Sequence, residues 1–181
     1  MEERILLFIQ ENLRFAFLTP IMVFISTLSN GGRIWVIFTL LLLCFKKTRR
    51  AGLCSLIALI FMFVFNNLLI KNLVGRTRPY EMIDSLVLLV KEQKDFSFPS
   101  GHTASAFASA VAVYKDMPKA AGIGLLIFAA ITAYSRLYVS VHYPTDVLGG
   151  LIIGICCGLI GRWLGEKIWD AVQKKKAGSM L

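Results

Sequence analysis

The residues best equipped for chemistry lie between Ser135 and Asp146, in the run Ser-Arg-Leu-Tyr-Val-Ser-Val-His-Tyr-Pro-Thr-Asp. These twelve residues hold a fixed cation, Arg136, an imidazole, His142, and a carboxylate, Asp146, with apolar sequence on both sides. A guanidinium suits an anionic substrate, an imidazole can attack or shuttle protons, and a carboxylate one helical turn away can hold the imidazole's ring and tautomer. Placing ionisable groups beside membrane-length apolar runs costs roughly 2.5 to 3.5 kcal/mol each on insertion scales, and function is the usual compensation. The stretch reads as a catalytic site that other parts of the chain must complete.

Two further stretches can complete it. Lys71 to Pro79 carries Lys71 and Arg78 in the spacing K-x6-R-P, with Arg76 as an extra cation of no assigned role. Pro99 to His102 reads Pro-Ser-Gly-His. Ser100 sits where a helix N-cap belongs and Gly101 lets the backbone approach closely, so free N–H groups at the helix start can cradle an anion. Lys71, Arg78 and Arg136 supply fixed positive charge for the equatorial oxygens of a phosphoryl group. His102 and His142 are the two histidines of the chain.

Composition specifies the elements that must position these groups. In 181 residues, 56% are hydrophobic, and the mean hydropathy of +0.67 lies far above that of soluble proteins. The apolar blocks are long enough to cross a hydrocarbon core of about 30 Å as helices, which excludes a barrel of short alternating strands. The expectation is a single all-α domain over residues 1–181, an integral membrane bundle of five or six transmembrane helices. Residues 1–30 are expected as an interfacial amphipathic segment, 31–165 as the transmembrane core and 166–181 as a basic cytoplasmic tail. The spans are read at about 34–45, 51–74, 102–114, 120–138 and 146–163, with a mixed, charged loop at 80–98. Asn66 and Asn67 read as helix–helix hydrogen-bond partners, and the glycines between 149 and 161 as a packing face.

The formal charge of +9 does not indicate nucleic acid, because the basic residues cluster in short loops and at the C-terminus. Lys46 to Arg50, Lys115 with Lys119, and Lys174 to Lys176 fall on one side, which the positive-inside rule makes cytoplasmic. All three motifs then share the external side. The four cysteines lie in hydrophobic segments without a C-x-x-C pair, so neither a disulfide framework nor a zinc site is expected, and no cleaved signal peptide is read at the N-terminus.

Taken together, K-x6-R-P, P-S-G-H and S-R-x5-H-x3-D resemble the signature of the type 2 phosphatidic acid phosphatase superfamily, membrane lipid phosphatases that share a core fold with vanadium haloperoxidases. The resemblance covers Lys71 to Asp146 and the flanking spans. It implies that His142 is the nucleophile and forms a phosphohistidine, that Asp146 orients its ring, and that His102 protonates the leaving oxygen and then activates water. Lys71, Arg78, Ser100, Gly101 and Arg136 would bind the phosphate, with no metal and no cofactor. The partners implied are a lipid phosphate or diphosphate and the surrounding lipids, with no obligatory protein partner. For a short chain of the bacterial kind the first expected substrate is undecaprenyl diphosphate, ahead of phosphatidylglycerol phosphate and phosphatidic acid.

Other classes fit less well. His102, His142 and Asp146 could ligate a metal, but the nearby cations would repel a divalent ion while already doing its electrostatic work. A small transporter would place such groups at mid-span, whereas here they collect at helix ends.

Overall fold

A computed structural model describes residues 1–178, and among them every regular element is helical. The N-terminal part forms α1 (Glu2–Asn12), α2 (Leu18–Leu28) and α3 (Arg33–Cys44). Next, α4 (Arg49–Met62) continues through π-type turns at Phe63–Ile70 into α5 (Lys71–Val74), followed by the short α6 (Pro79–Met82). The last three helices are α7 (Gly101–Val113), α8 (Lys119–Tyr138) and α9 (Pro144–Gly178). Expected tail residues 166–178 are the helical continuation of α9, and 179–181 lie outside the described residues.

The core is built around α7, whose Ala104, Ala106, Ala108, Ala110 and Ala112 are fully buried. Helices α4 and α9 pack against α7 and against each other. Small side chains set the separation. A Cβ at Gly150, Gly154 or Gly158 of α9 would come within 2.5 to 2.8 Å of the nearest atom of residues 100–111, so this face of α9 requires glycine. One turn further on, Gly161 and Gly165 do the same against Ala58 and Cys54 of α4. Without a hydrophobic drive between helices in lipid, such close backbone approach and buried hydrogen bonds are what hold a bundle together. The hydrogen bonds are present as a chain across three helices: Thr39 of α3 to Ser55 of α4 at 2.6 Å, and Ser55 to Ser109 of α7 at 2.8 Å.

The two ends of the bundle differ. At one end Arg50 pairs with Asp116, and Arg162 reaches both Asp116 and Glu166, which ties α4, the 114–116 turn and α9 together beside the basic loops. At the other end α5, the N-terminus of α7 and the α8–α9 connection converge with the three motifs. The opposition of basic end and motif end expected from the sequence is therefore present.

The all-helical class is as expected, and the five or six spans are matched only in part. Among the described residues three helical stretches are long and apolar enough to cross a membrane, and four if α2 and the helix after it, bent by 51° at Ser29, count as one. The expected third span, α7, has 13 residues, about 20 Å of helix, and is buried inside the bundle. The expected surface segment 1–30 divides in two. Helix α1 buries Leu6 and Ile9 against the motif end, while α2 packs on α8 and leads into α3.

The tight α4–α9 contact predicts that Gly161→Val, whose Cβ would meet the Ala58 backbone at 2.5 Å, lowers stability by about 1–3 kcal/mol or more. Thermal unfolding in detergent would show this as a lower midpoint, and an unchanged midpoint would mean that the contact is not close-packed.

Candidate active site

Each motif is delivered by a helix end. Lys71 begins α5 and Arg78 caps α6. Ser100 is the N-cap of α7, accepting from the Thr103 hydroxyl at 3.1 Å and from its N–H at 3.5 Å. Arg136 lies in the last turn of α8, and Asp146 in the first turn of α9. The Ser100 N–H donates to the Asp146 carbonyl at 3.0 Å, so the second and third motifs are joined through backbone. That N–H is thereby spent, which leaves those of Gly101 and His102 for an anion at the helix start. Asn66 and Asn67 brace this turn: Asn66 donates to Asn67 at 2.8 Å, and a Cβ on Gly101 would sit 3.2 Å from the Asn67 Oδ1.

The three cations are held differently. Lys71 and Arg78 share Asp95, with Lys71 Nζ donating to Oδ2 at 2.5 Å and Arg78 Nη2 to Oδ1 at 2.7 Å. Arg78 also donates to the carbonyls of Asp95 and Val141, both at 2.8 Å. Burial opposes ionisation of Asp95, but Lys71 and Arg78 outweigh it and hold the carboxyl down to about 2. Arg136 gives one nitrogen to Ser26, while its Nε and Nη2 are buried with no partner. Among the described residues it is the one charged side chain with buried donors left over. A buried unpaired donor is costly, and an anion with several acceptor oxygens removes the cost.

Both histidines are buried at this end. His142 Nδ1 lies 3.5 Å from Asp146 Oδ2 and from Ser97 Oγ, a contact that a bound ligand can shorten. With Nδ1 on the carboxylate side, Nε2 is the ring nitrogen turned away from Asp146. Burial first, then Arg78 and Arg136, push the His142 imidazole well below its ordinary 6.5, so the ring is neutral and keeps a lone pair. Asp146 is fixed from other sides too: Arg76 donates to Oδ1 at 2.7 Å, the Tyr143 N–H to Oδ2 at 2.8 Å, and Ser97 also to Oδ2. The amide oxygen of Asn30, at the α2–α3 bend, faces His102 Nε2 at 3.0 Å and so requires a proton on that nitrogen.

Lys71, Arg78, Gly101, His102 and His142 line one cavity of about 440 Å³. Ser100, Arg136 and Asp146 do not reach its wall: Ser100 serves as the cap, Asp146 backs His142, and Arg136 is buried close enough to act electrostatically on both imidazoles. All eight expected site residues therefore meet at one end of the bundle. Sequence reasoning missed Asp95, Ser97 and Asn30 and assigned no role to Arg76. Asp95 belongs to a mixed, charged loop, and nothing local distinguishes it from Asp84 or Glu92.

Fold and site define an apolar helical bundle with cations and two imidazoles gathered at one rim. The chain belongs to the PAP2 superfamily, whose family model matches residues 51–170. It is 36% identical over 141 residues to the undecaprenyl-diphosphatase of Sulfolobus acidocaldarius, covering 77% of this chain and 66%, just under two thirds, of that protein. The crystal structure of Aquifex aeolicus LpxE superposes with a TM-score of 0.76 at 26% identity, over 88% of this chain and 91% of that one. That of a PAP2-type phosphatidylglycerolphosphate phosphatase from Bacillus subtilis gives 0.70 at 28% identity, over 92% and 83%.

A neutral His142 predicts where activity falls in acid. The acid limb of kcat/KM reports the free enzyme. Once the substrate's own phosphate titration is divided out, the limb assigned to His142 should lie below pH 6.5. A limb above that value would mean that the imidazole is charged at rest and cannot be the nucleophile.

Proposed function

We propose that this chain is a lipid phosphatase that removes a terminal phosphate from a lipid phosphate or diphosphate without a metal. The observation that carries the reading is the shape and chemistry of the cavity. Its polar end holds Lys71, Arg78, His102 and His142, and the remainder runs between α3 and α4 past Val36, Leu40, Leu56, Ile60 and Phe63. Several of these apolar residues are also exposed on the outside of the bundle, so the slot is open sideways to lipid. A headgroup phosphate with an attached hydrocarbon chain matches both ends, whereas a soluble phosphate ester would leave the apolar part unfilled.

Catalysis follows from the positions. Nε2 of His142 attacks phosphorus as the bond to the leaving oxygen breaks, and His102, protonated once the substrate's negative charge lies beside it, gives that oxygen its proton. The phosphoryl group is then carried on His142. Water, losing a proton to His102, attacks the phosphorus and releases phosphate, which restores both rings. Lys71 and Arg78 hold the charge that spreads over the equatorial oxygens, and Arg136 behind the cavity wall adds positive potential, the work a divalent ion does in other phosphoryl-transfer sites. Asp95 occupies Lys71 and Arg78 at rest, so an incoming phosphate takes over donors that the carboxylate now holds.

Undecaprenyl diphosphate is the first candidate substrate, supported by the similarity to the archaeal undecaprenyl-diphosphatase. Phosphatidylglycerol phosphate is next, supported by the likeness to the Bacillus subtilis enzyme, and phosphatidic acid follows. An outer-face site is the reading supported by Lys46 to Arg50, Lys115 and Lys119, which lie at the opposite end.

Purified protein given undecaprenyl diphosphate, phosphatidylglycerol phosphate and phosphatidic acid in EDTA should release phosphate, fastest from the first. Denaturing acid-labile, base-stable labelling from a phosphate-labelled substrate should be present in wild type and absent in His142→Ala. Loss of activity in EDTA, restored by one metal ion, would overturn the metal-free mechanism, and labelling that survives His142→Ala would remove the nucleophile.

A further inference from the structure

The N-terminal helix reaches the site through a single acidic side chain. Glu2 at the start of α1 accepts from Arg76 Nη2 at 2.6 Å through one carboxylate oxygen. Through the other it accepts the Thr145 N–H at 3.1 Å and the Thr145 hydroxyl at 2.6 Å. Arg76 in turn donates to Asp146 Oδ1 and to the Thr145 hydroxyl, both at 2.7 Å, and its guanidinium lies 3.9 Å from the centre of the Tyr143 ring. Asp146 is fully buried, while Arg76 and Glu2 are about 30% exposed. Three charges of alternating sign thus run from the surface to the carboxylate behind His142.

The alternation has a consequence for the imidazole. A guanidinium bonded to Asp146 cancels much of the negative charge that the carboxylate presents to the ring. A second carboxylate on the far side of the guanidinium restores it. Glu2 also accepts an N–H at the start of α9, where the helix end carries partial positive charge. A second anchor keeps the helix in place: Arg14, just beyond α1, donates to the Tyr138 carbonyl at 3.0 Å and to the Ser140 hydroxyl at 2.7 Å. Ser140 has a φ of +62°, an unfavourable conformation for a side-chain-bearing residue, in the loop that leads to His142.

We infer that Glu2, acting through Arg76, is a positioning residue for Asp146 and hence for His142, so that α1 completes the site. Glu2 lies outside residues 51–170 matched by the family model. The inference rests on the proposed role of His142, but its test does not need turnover. His142 is also faced by Lys71, Arg78, Arg136, Asp95 and His102, all unchanged in the variants below.

The full chain, labelled with 15N-histidine in detergent micelles, gives two imidazole signals, and that of His142 is assigned by its loss in His142→Gln. Glu2→Gln leaves Arg76 to neutralise Asp146, so the His142 titration should move down by about half a unit or more. Arg76→Gln should move it up, and the double variant should return it close to wild type. Arg76→Lys, which keeps the charge, should stay nearer wild type than Arg76→Gln. Shifts of the same sign, or none, would make Glu2 and Arg76 merely structural and overturn the inference. Failure of every lipid to turn over would instead count against the phosphatase reading.

Discussion

The structure is organised around a buried guanidinium with donors left over. Arg136 sits at the end of α8 with two nitrogens unpartnered, close to Lys71, Arg78 and two imidazoles. Desolvating one cation costs several kcal/mol and crowding others beside it adds repulsion, so a fold optimised for stability alone would not keep this arrangement. Asp95 relieves part of the strain by bridging Lys71 and Arg78. Asp146 is spent on other partners, which include Arg76, Ser97 and the Tyr143 N–H. What remains is a positive potential at one rim of the bundle, and an anion with several acceptor oxygens is the group that would satisfy it.

The helix packing makes this concentration possible. The glycines of α9 bring its backbone against α7 and α4, which places the start of α9 beside the start of α7. The Ser100 N–H can then reach the Asp146 carbonyl, and two motifs more than forty residues apart share one hydrogen bond. The π-type turns at Phe63–Ile70 turn Asn66 and Asn67 toward the same corner, a common use of such turns at functional sites. Helices α3 and α4 leave the apolar slot that joins this rim to the lipid-facing surface.

Much of this was legible in the chain because each motif couples chemistry to a local boundary. Ser100 caps a helix, Pro79 follows Arg78 at a break, and Asp146 lies one turn beyond His142; these are short-range facts that survive folding. The glycine face of α9 was legible for the same reason, as a spacing within one helix. Asp95, Asn30, Arg76 and Glu2 were not, since their roles depend on partners 17 to 74 residues away. The number of spans was less legible, because an apolar run such as that of α7 suits a helix surrounded by protein as well as one that crosses the membrane, and the polar–apolar alternation of α1 suits packing on the motif end as well as the membrane surface.

The central claim, that Arg136 is kept buried and under-bonded in order to hold phosphate, is tested most directly by comparing thermal unfolding of wild type and Arg136→Met with and without vanadate. The account predicts that the variant, which fills the same space without charge, melts higher than wild type in the absence of ligand and is raised less by vanadate than wild type is. A variant that melts lower than wild type and is raised by vanadate as much as wild type would contradict it.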